Sequence, residues 1–318
     1  GKSEKKKKGN IALNNSNLAK AKVQDNLADF NQDKRLLLLT LMAIIIGIIS
    51  AFIAYGLIWL INLITNLAFY QRFSTDSISP ANNHLGVLVI VIPMIGGLII
   101  GLMARYGSEQ IRGHGIPEAL EAILIGRSRI GVKVALLKPL SSALSIGSGG
   151  PFGAEGPIIM TGGAFGSLFA QAFNLSAAER KTLLVAGAAG GMAAIFATPV
   201  AAVLLAIELL LFEWKPRSFI PVAFSAIAAS LLRIPLLGQG PIFLIPPHPQ
   251  LDLTEMLYAL GVGIVAGLGS CLLTMLVYAF EDLFRKLPIH WMYWRWAAGS
   301  GSAARPSPRR GTRRASAS

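Results

Sequence analysis

Charged residues, cysteine and histidine are all scarce in this sequence. Only 14% of the 318 residues are charged, one is cysteine and four are histidine. Cys271 has no partner for a disulfide, and its apolar surroundings predict a small buried residue. The histidines are too widely spaced to indicate a metal site: His84, His114, His248 and His290. With 53% hydrophobic residues, the chain does not have the composition of a soluble domain.

Enzymatic chemistry has little support in the same residues. Ser148 has no candidate base near it in the sequence, so it is better explained as a loop or cap residue than as a nucleophile. No cluster of metal-ligating side chains is apparent. The sequence therefore predicts a protein that is not an enzyme and that needs neither a metal nor a cofactor.

Long apolar segments account for most of the chain. Their length or density is typical of membrane helices, which need about 20 apolar residues to cross ~30 Å of hydrocarbon. Several are too short, or too interrupted by Gly and Pro, to cross completely, and these indicate helices that end inside the protein. The sequence predicts an all-α, multi-pass integral membrane protein, with apolar segments at residues 36–69, 85–103, 132–146, 181–212, 219–232 and 256–283.

Positive charge is concentrated at the two ends of the chain, which carries a net charge of +13. Lysines precede the first apolar segment and arginines follow Trp294. This distribution favours a cytoplasmic N-terminus over a nucleic-acid partner. We predict a basic cytosolic arm at 1–34, membrane helices at 35–286 and an Arg/Ala/Ser/Pro-rich disordered tail at 287–318. From Ala297 onward the composition also fits a shifted reading frame or a fusion scar. A genuine disordered tail is the alternative, and the choice between them stays open.

A glycine-rich loop from Gly147 to Pro157 contains a lone carboxylate, Glu155, and leads into an apolar run. Glycine frees the backbone to turn its N–H groups inward, and Pro157 fits a first helical turn. Such a loop at a positive helix end forms an anion cradle. We expect Glu155 to lie buried in the membrane, where an unpaired charge requires a function. A plain capping glutamate is the alternative.

A second turn of this kind runs from Gly113 to Glu118 and leads into a short helix predicted at 118–125. Lys138 follows inside the apolar segment 132–146. A lysine within a membrane segment is a functional candidate, although its head could instead reach the interface.

Three features of the 181–212 segment also carry predictions. Gly187, Gly190 and Gly191 predict close helix packing. Thr198-Pro199 predicts a break in the helix, and either Asn174 or Ser176 is expected to cap its start.

Together these motifs resemble the CLC family of chloride channels and proton-coupled chloride antiporters, over roughly residues 36–285. The resemblance rests on Gly113-His114-Gly115-Ile116-Pro117-Glu118, Lys138, Gly153-Ala154-Glu155-Gly156-Pro157, Phe196-Ala197-Thr198-Pro199 and Glu208. It implies a bundle of tilted and broken helices arranged as two inverted halves. It also implies a homodimer in a bacterial inner membrane, with chloride, protons and membrane lipids as partners.

The resemblance assigns roles to individual residues. Glu155 corresponds to the gating glutamate, which leaves the outer anion site when it is protonated. The amides of Ala154, Glu155 and Gly156 would line that site, and those of Gly115 and Ile116 would face a central one. His114 stands where the family usually has serine and could contact the central anion. Lys138 and Glu208 are supporting residues, and Leu209 replaces a glutamate that is frequent in antiporters.

The family's second half contributes a Gly-x-Phe-x-Pro loop and a pore tyrosine, and neither is found in this sequence. We therefore expect an incomplete inverted repeat, the first half plus one long helix, that does not conduct alone. The alternatives are another broken-helix carrier, such as a fluoride exporter, and a non-transporting truncated product.

Overall fold

A computed structural model describes residues 34–80, 83–173, 175–239 and 252–286, and within these ranges it contains helices and no strands. The expected arm at 1–34, apart from Lys34, and the expected tail at 287–318 lie outside the described residues. The helices are α1 (Lys34–Tyr70), α2 (Val91–Tyr106), α3 (Ile116–Leu124), α4 (Val132–Gly147), α5 (Glu155–Gln171), α6 (Ala177–Phe196), α7 (Pro199–Ala206), α8 (Pro216–Leu237) and α9 (Leu253–Arg285). Short 3₁₀ helices lie at Gly86–Ile90 and Glu109–Ile111, and a π-helical turn at Ile207–Leu211.

Three of these helices have the length and apolar composition needed to cross a membrane, namely α1, α8 and most of α9. The helices between α1 and α6 are shorter than the about 20 residues that a membrane helix needs. Among them, α2 has 16 residues, α3 has 9 and α5 has 17. The prediction of an all-α membrane protein that combines long and broken helices is confirmed.

The ends of α6 are set by local sequence. Ser176 is its N-cap: the Ser176 hydroxyl accepts from the Glu179 amide at 3.3 Å, and the Glu179 carboxylate accepts from the Ser176 amide at 2.7 Å. Of the two predicted caps, Asn174 lies outside the described residues. At the other end, Ala197 is left-handed with φ of 57°, and Pro199 opens α7, so the predicted break is confirmed.

The chain divides into two units, and the first comprises residues 1–59, 115–140 and 154–240. Within it, α5 and α6 approach closely, because a Cβ on Gly187 would lie 2.9 Å from the carbonyl carbon of Gly162. Gly191 faces Ile158 in the same way, with a Cβ 2.8 Å from its Cγ1. Both helices are buried along most of their length, which confirms the predicted close packing.

The second unit comprises residues 60–114, 141–153 and 241–318. Its described part includes α2, the C-terminal ends of α1 and α4, and α9. Nearly all described side chains of α9 are exposed, including Cys271. The prediction of a buried Cys271 is therefore wrong for this structure, because no described element covers α9.

Candidate anion site

Two helix starts meet in the first unit. Gly115 is the N-cap of α3 and has φ of 116°, and Glu155 is the first residue of α5. A Cβ on Gly115 would lie 2.6 Å from the carbonyl carbon of Gly156 and 3.2 Å from its Cα. The starts of α3 and α5 are thus in backbone contact, and both glycines are buried.

The amide of Gly115 is already engaged. It donates to Oε2 of Glu118 at 2.7 Å, so the carboxylate in the first turn of α3 caps its own helix. The expectation that the Gly115 amide faces an anion is therefore wrong for this structure. Ile116 follows as the first residue of α3, and its side chain is half-buried.

The start of α5 has a different donor arrangement. Its first helical bond runs from the Ile158 amide to the Ala154 carbonyl at 2.9 Å, and Pro157 has no N–H. The amides of Glu155 and Gly156 belong to the first turn, where a helix offers no acceptor. These two amides, together with that of the N-cap residue Ala154, are the donors that this helix start presents.

The Glu155 side chain is exposed among the described residues. The expected buried carboxylate is thus not observed, because the described part of the chain does not enclose it. Its position at the first residue of α5 is consistent both with a gate and with a plain helix-capping acid.

The glycine loop before α5 also differs from the expected cradle. The amides of Gly149 and Gly150 donate to the carbonyls of Ile146 and Ser145, each at 3.0 Å. Gly149 has φ of 90°, which a side chain would oppose. This part of the loop ends α4, and only residues 154–156 lie at the start of α5.

Lys138 and His114 lie in opposite environments. Lys138, in the middle of α4, is 1% exposed and takes part in a polar or electrostatic interaction. This burial excludes the alternative in which its head reaches the surface. His114, immediately before the α3 cap, is exposed.

Glu208 lies in the π-helical turn after α7 and is exposed. The Phe212 amide reaches back five residues to the Ile207 carbonyl at 2.9 Å, and Nζ of Lys181 donates to the Leu211 carbonyl at 2.6 Å. Single π turns inside helices are frequent at functional sites. Sequence reasoning missed this turn, because no residue type marks a π turn as glycine marks a left-handed cap.

Short apolar helices whose starts lie against each other are typical of broken-helix membrane transport proteins. The family model described as voltage gated chloride channel matches residues 96–304, past the change of composition at Ala297. The chain belongs to this family, the CLC family.

Two named relatives support this family assignment. The chain is 30% identical over 257 residues to the voltage-gated ClC-type chloride channel ClcB of Yersinia pestis, covering 77% of this chain and 60% of the relative. It is 32% identical over 193 residues to the H(+)/Cl(−) exchange transporter ClcA of Vibrio cholerae, covering 58% of this chain and 40% of the relative. The chain thus spans about half the length of these relatives.

Solved structures show the same fold. A slow cyanobacterial Cl−/H+ antiporter superposes with a TM-score of 0.70 at 20% identity, over 85% of this chain and 62% of that one. A CLC-type fluoride/proton antiporter gives 0.69 at 18% identity, over 85% and 64%. The predicted CLC-type bundle is confirmed for the described helices.

Proposed function

We propose that this protein moves a small anion, chloride in the first place, across a membrane past the point where α3 and α5 begin. The observation that carries the proposal is the backbone contact between Gly115 and Gly156. It brings two helix N-termini together, and the partial positive charge of each stabilises an anion nearby.

Each residue at the two helix starts has its own role in binding the anion. The amides of Ala154, Glu155 and Gly156 bind the outer anion, and on the α3 side this role falls to Ile116, since Gly115 is engaged by Glu118. The Glu155 carboxylate takes the place of the anion when ionised and leaves when protonated. His114 lies next to the α3 start and is available as a further donor.

Two other charged residues support the site. Lys138 adds a buried positive charge on α4, which lowers the energy of an anion in the same unit. Glu208 keeps the role of a structural acid in the π-helical turn.

The anion is either chloride or fluoride. The curated relatives are named for chloride, whereas one of the two solved structures of similar fold is a fluoride/proton antiporter. The TM-scores of 0.70 and 0.69 do not separate the two. The relatives' names favour chloride, and competition between the two halides tests this preference.

We further propose that protons accompany the anion, although Leu209 stands where antiporters often carry glutamate. The membrane is a bacterial inner membrane with the N-terminus on the cytoplasmic side, because the basic residues precede α1.

Because the chain is not expected to conduct alone, the test measures flux from vesicles that contain the purified chain together with the part of the Yersinia pestis ClcB relative that it does not cover. Wild type should release chloride and take up protons, and Glu155→Gln should release chloride without moving protons. Glu109→Gln, which removes an exposed carboxylate in a 3₁₀ helix, is the matched control and should behave as wild type. Absence of chloride flux from wild type would contradict transport by this chain. Equal proton uptake by wild type and Glu155→Gln would contradict the gating role.

A further inference from the structure

A polar cavity lies in the first unit at the turn between α5 and α6. Its volume, about 530 Å³, falls within the ~300–1,000 Å³ typical of small-molecule sites. Two of the lining residues are arginines, and none of the described ones is acidic. The lining residues are Arg129, Gln171, Phe173, Leu175, Ser176 and Arg180.

The guanidinium of Arg180 is held at the cavity wall. Nη1 donates to the Leu175 carbonyl at 2.7 Å and Nη2 to the Arg127 carbonyl at 3.4 Å. Its Nε is buried and has no hydrogen-bond partner among the described residues. A guanidinium has five N–H donors, so Arg180 is fixed by the protein and still has donors for a ligand.

The backbone around Arg129 is also fixed. The Ser167 hydroxyl donates to the Ser128 carbonyl at 2.7 Å and accepts from the Ile130 amide at 3.1 Å. The Gln171 amide group donates to the Ile130 carbonyl at 3.2 Å. The chain on both sides of Arg129 is thus attached to α5, while its own side chain is exposed.

An ion pair relates the cavity to the start of α1, the first helix long enough to cross a membrane. Ser176 lines the cavity and caps α6, and Glu179 in the first turn of α6 pairs with Arg35, with Nη2 and Oε2 3.0 Å apart. Arg35 is the second residue of α1, the first membrane-spanning helix. The cavity therefore lies near the start of α1, which begins with Lys34 and Arg35. Positive charge marks the cytoplasmic side, where the leaflet carries anionic lipids.

We propose that this cavity binds a phosphate-bearing anion through Arg129 and Arg180. Arginine suits this ligand, because its planar donors match phosphate oxygens. Phe173 is 45% exposed and Leu175 is half-buried, so the same cavity offers apolar contact to the rest of a phospholipid. The phosphate can come from a lipid headgroup or from soluble phosphate. The proposal does not depend on anion transport.

Calorimetric titration of the detergent-solubilised chain tests it. The ligands are short-chain phosphatidylglycerol, diacylglycerol of the same chain length and inorganic phosphate. We expect phosphatidylglycerol to bind and Arg129→Gln to weaken it about tenfold, the loss expected for one charge-assisted hydrogen bond. Arg127→Gln removes the same charge from a neighbouring exposed residue outside the lining, and its affinity should stay within about twofold of wild type.

The outcomes show whether the bound phosphate comes from a lipid headgroup or from soluble phosphate. Binding of phosphatidylglycerol alone supports a lipid headgroup, and binding of inorganic phosphate alone supports a soluble ligand. Equal binding of diacylglycerol, equal losses in the two variants, or no binding by wild type would overturn the proposal. Arg129→Lys keeps the charge and should lie between wild type and Arg129→Gln, which gives a second test should the glutamine variant fold poorly.

Discussion

Gly115 and Gly156 touch through their backbones, so that the start of α3 lies against the first turn of α5. Position 115 requires glycine for two reasons. Its φ is 116°, and a Cβ added there would lie 2.6 Å from the carbonyl carbon of Gly156. The start of α3 can lie this close to the first turn of α5 because Gly115 has no side chain.

Gly115→Ala should therefore destabilise the protein by on the order of 3 kcal/mol, because the new methyl group adds both backbone strain and a clash. Gly131→Ala is the matched control, since a Cβ at Gly131 meets no atom within 4 Å. The measurement is the thermal unfolding midpoint in detergent. Equal midpoints for the two variants would show that the contact between the helix starts is not as close as described.

Lys138→Met and Lys133→Met compare two lysines of the same helix. Lys138 is 1% exposed and takes part in a polar or electrostatic interaction, whereas Lys133 is exposed. We expect Lys138→Met to cost about 1–3 kcal/mol of unfolding free energy and Lys133→Met less than about 0.5 kcal/mol.

Chloride titration of the same two variants tests the supporting role of Lys138. Its buried charge is weakly screened, so chloride affinity should fall in Lys138→Met and stay unchanged in Lys133→Met. An unchanged affinity in Lys138→Met would remove Lys138 from the site.

The pair between Arg35 and Glu179 makes stability depend on pH. The pKa of Glu179 is lowered from 4.5 to about 2, mainly by the hydrogen bond from Arg35 and also by hydrogen bonds with Ser176. Because the folded-state pKa is lowered, the stabilisation is complete above the unfolded pKa and is lost as pH falls through the folded one. The difference in unfolding midpoint between wild type and Arg35→Gln should thus be constant well above pH 4.5, shrink as pH falls from 4.5 towards about 2, and disappear below that pH. A difference that persists below pH 2 would show that Arg35 acts through contacts other than this carboxylate.

Helix positions could be predicted largely from the sequence. The apolar segment 36–69 became α1 at Lys34–Tyr70, and the segment 132–146 became α4 at Val132–Gly147. Hydrophobic length and Pro or Gly at the ends are local properties, so they can be read along the chain.

The donors at the site could be predicted only in part. Glu118 lies three residues after Gly115, the spacing of a capping box, and this signal could have shown that the Gly115 amide is engaged. The exposure of Glu155 had no local signal, because it depends on which distant segments surround it.

The sequence by itself determined an integral membrane protein of the CLC family, because apolar length and the Gly-x-Glu-Gly-Pro element are written in consecutive residues. The tertiary structure decided that the starts of α3 and α5 touch, that Lys138 is buried and that Arg129 and Arg180 share a cavity. These relationships join residues far apart in the chain, and their distances depend on how the helices pack.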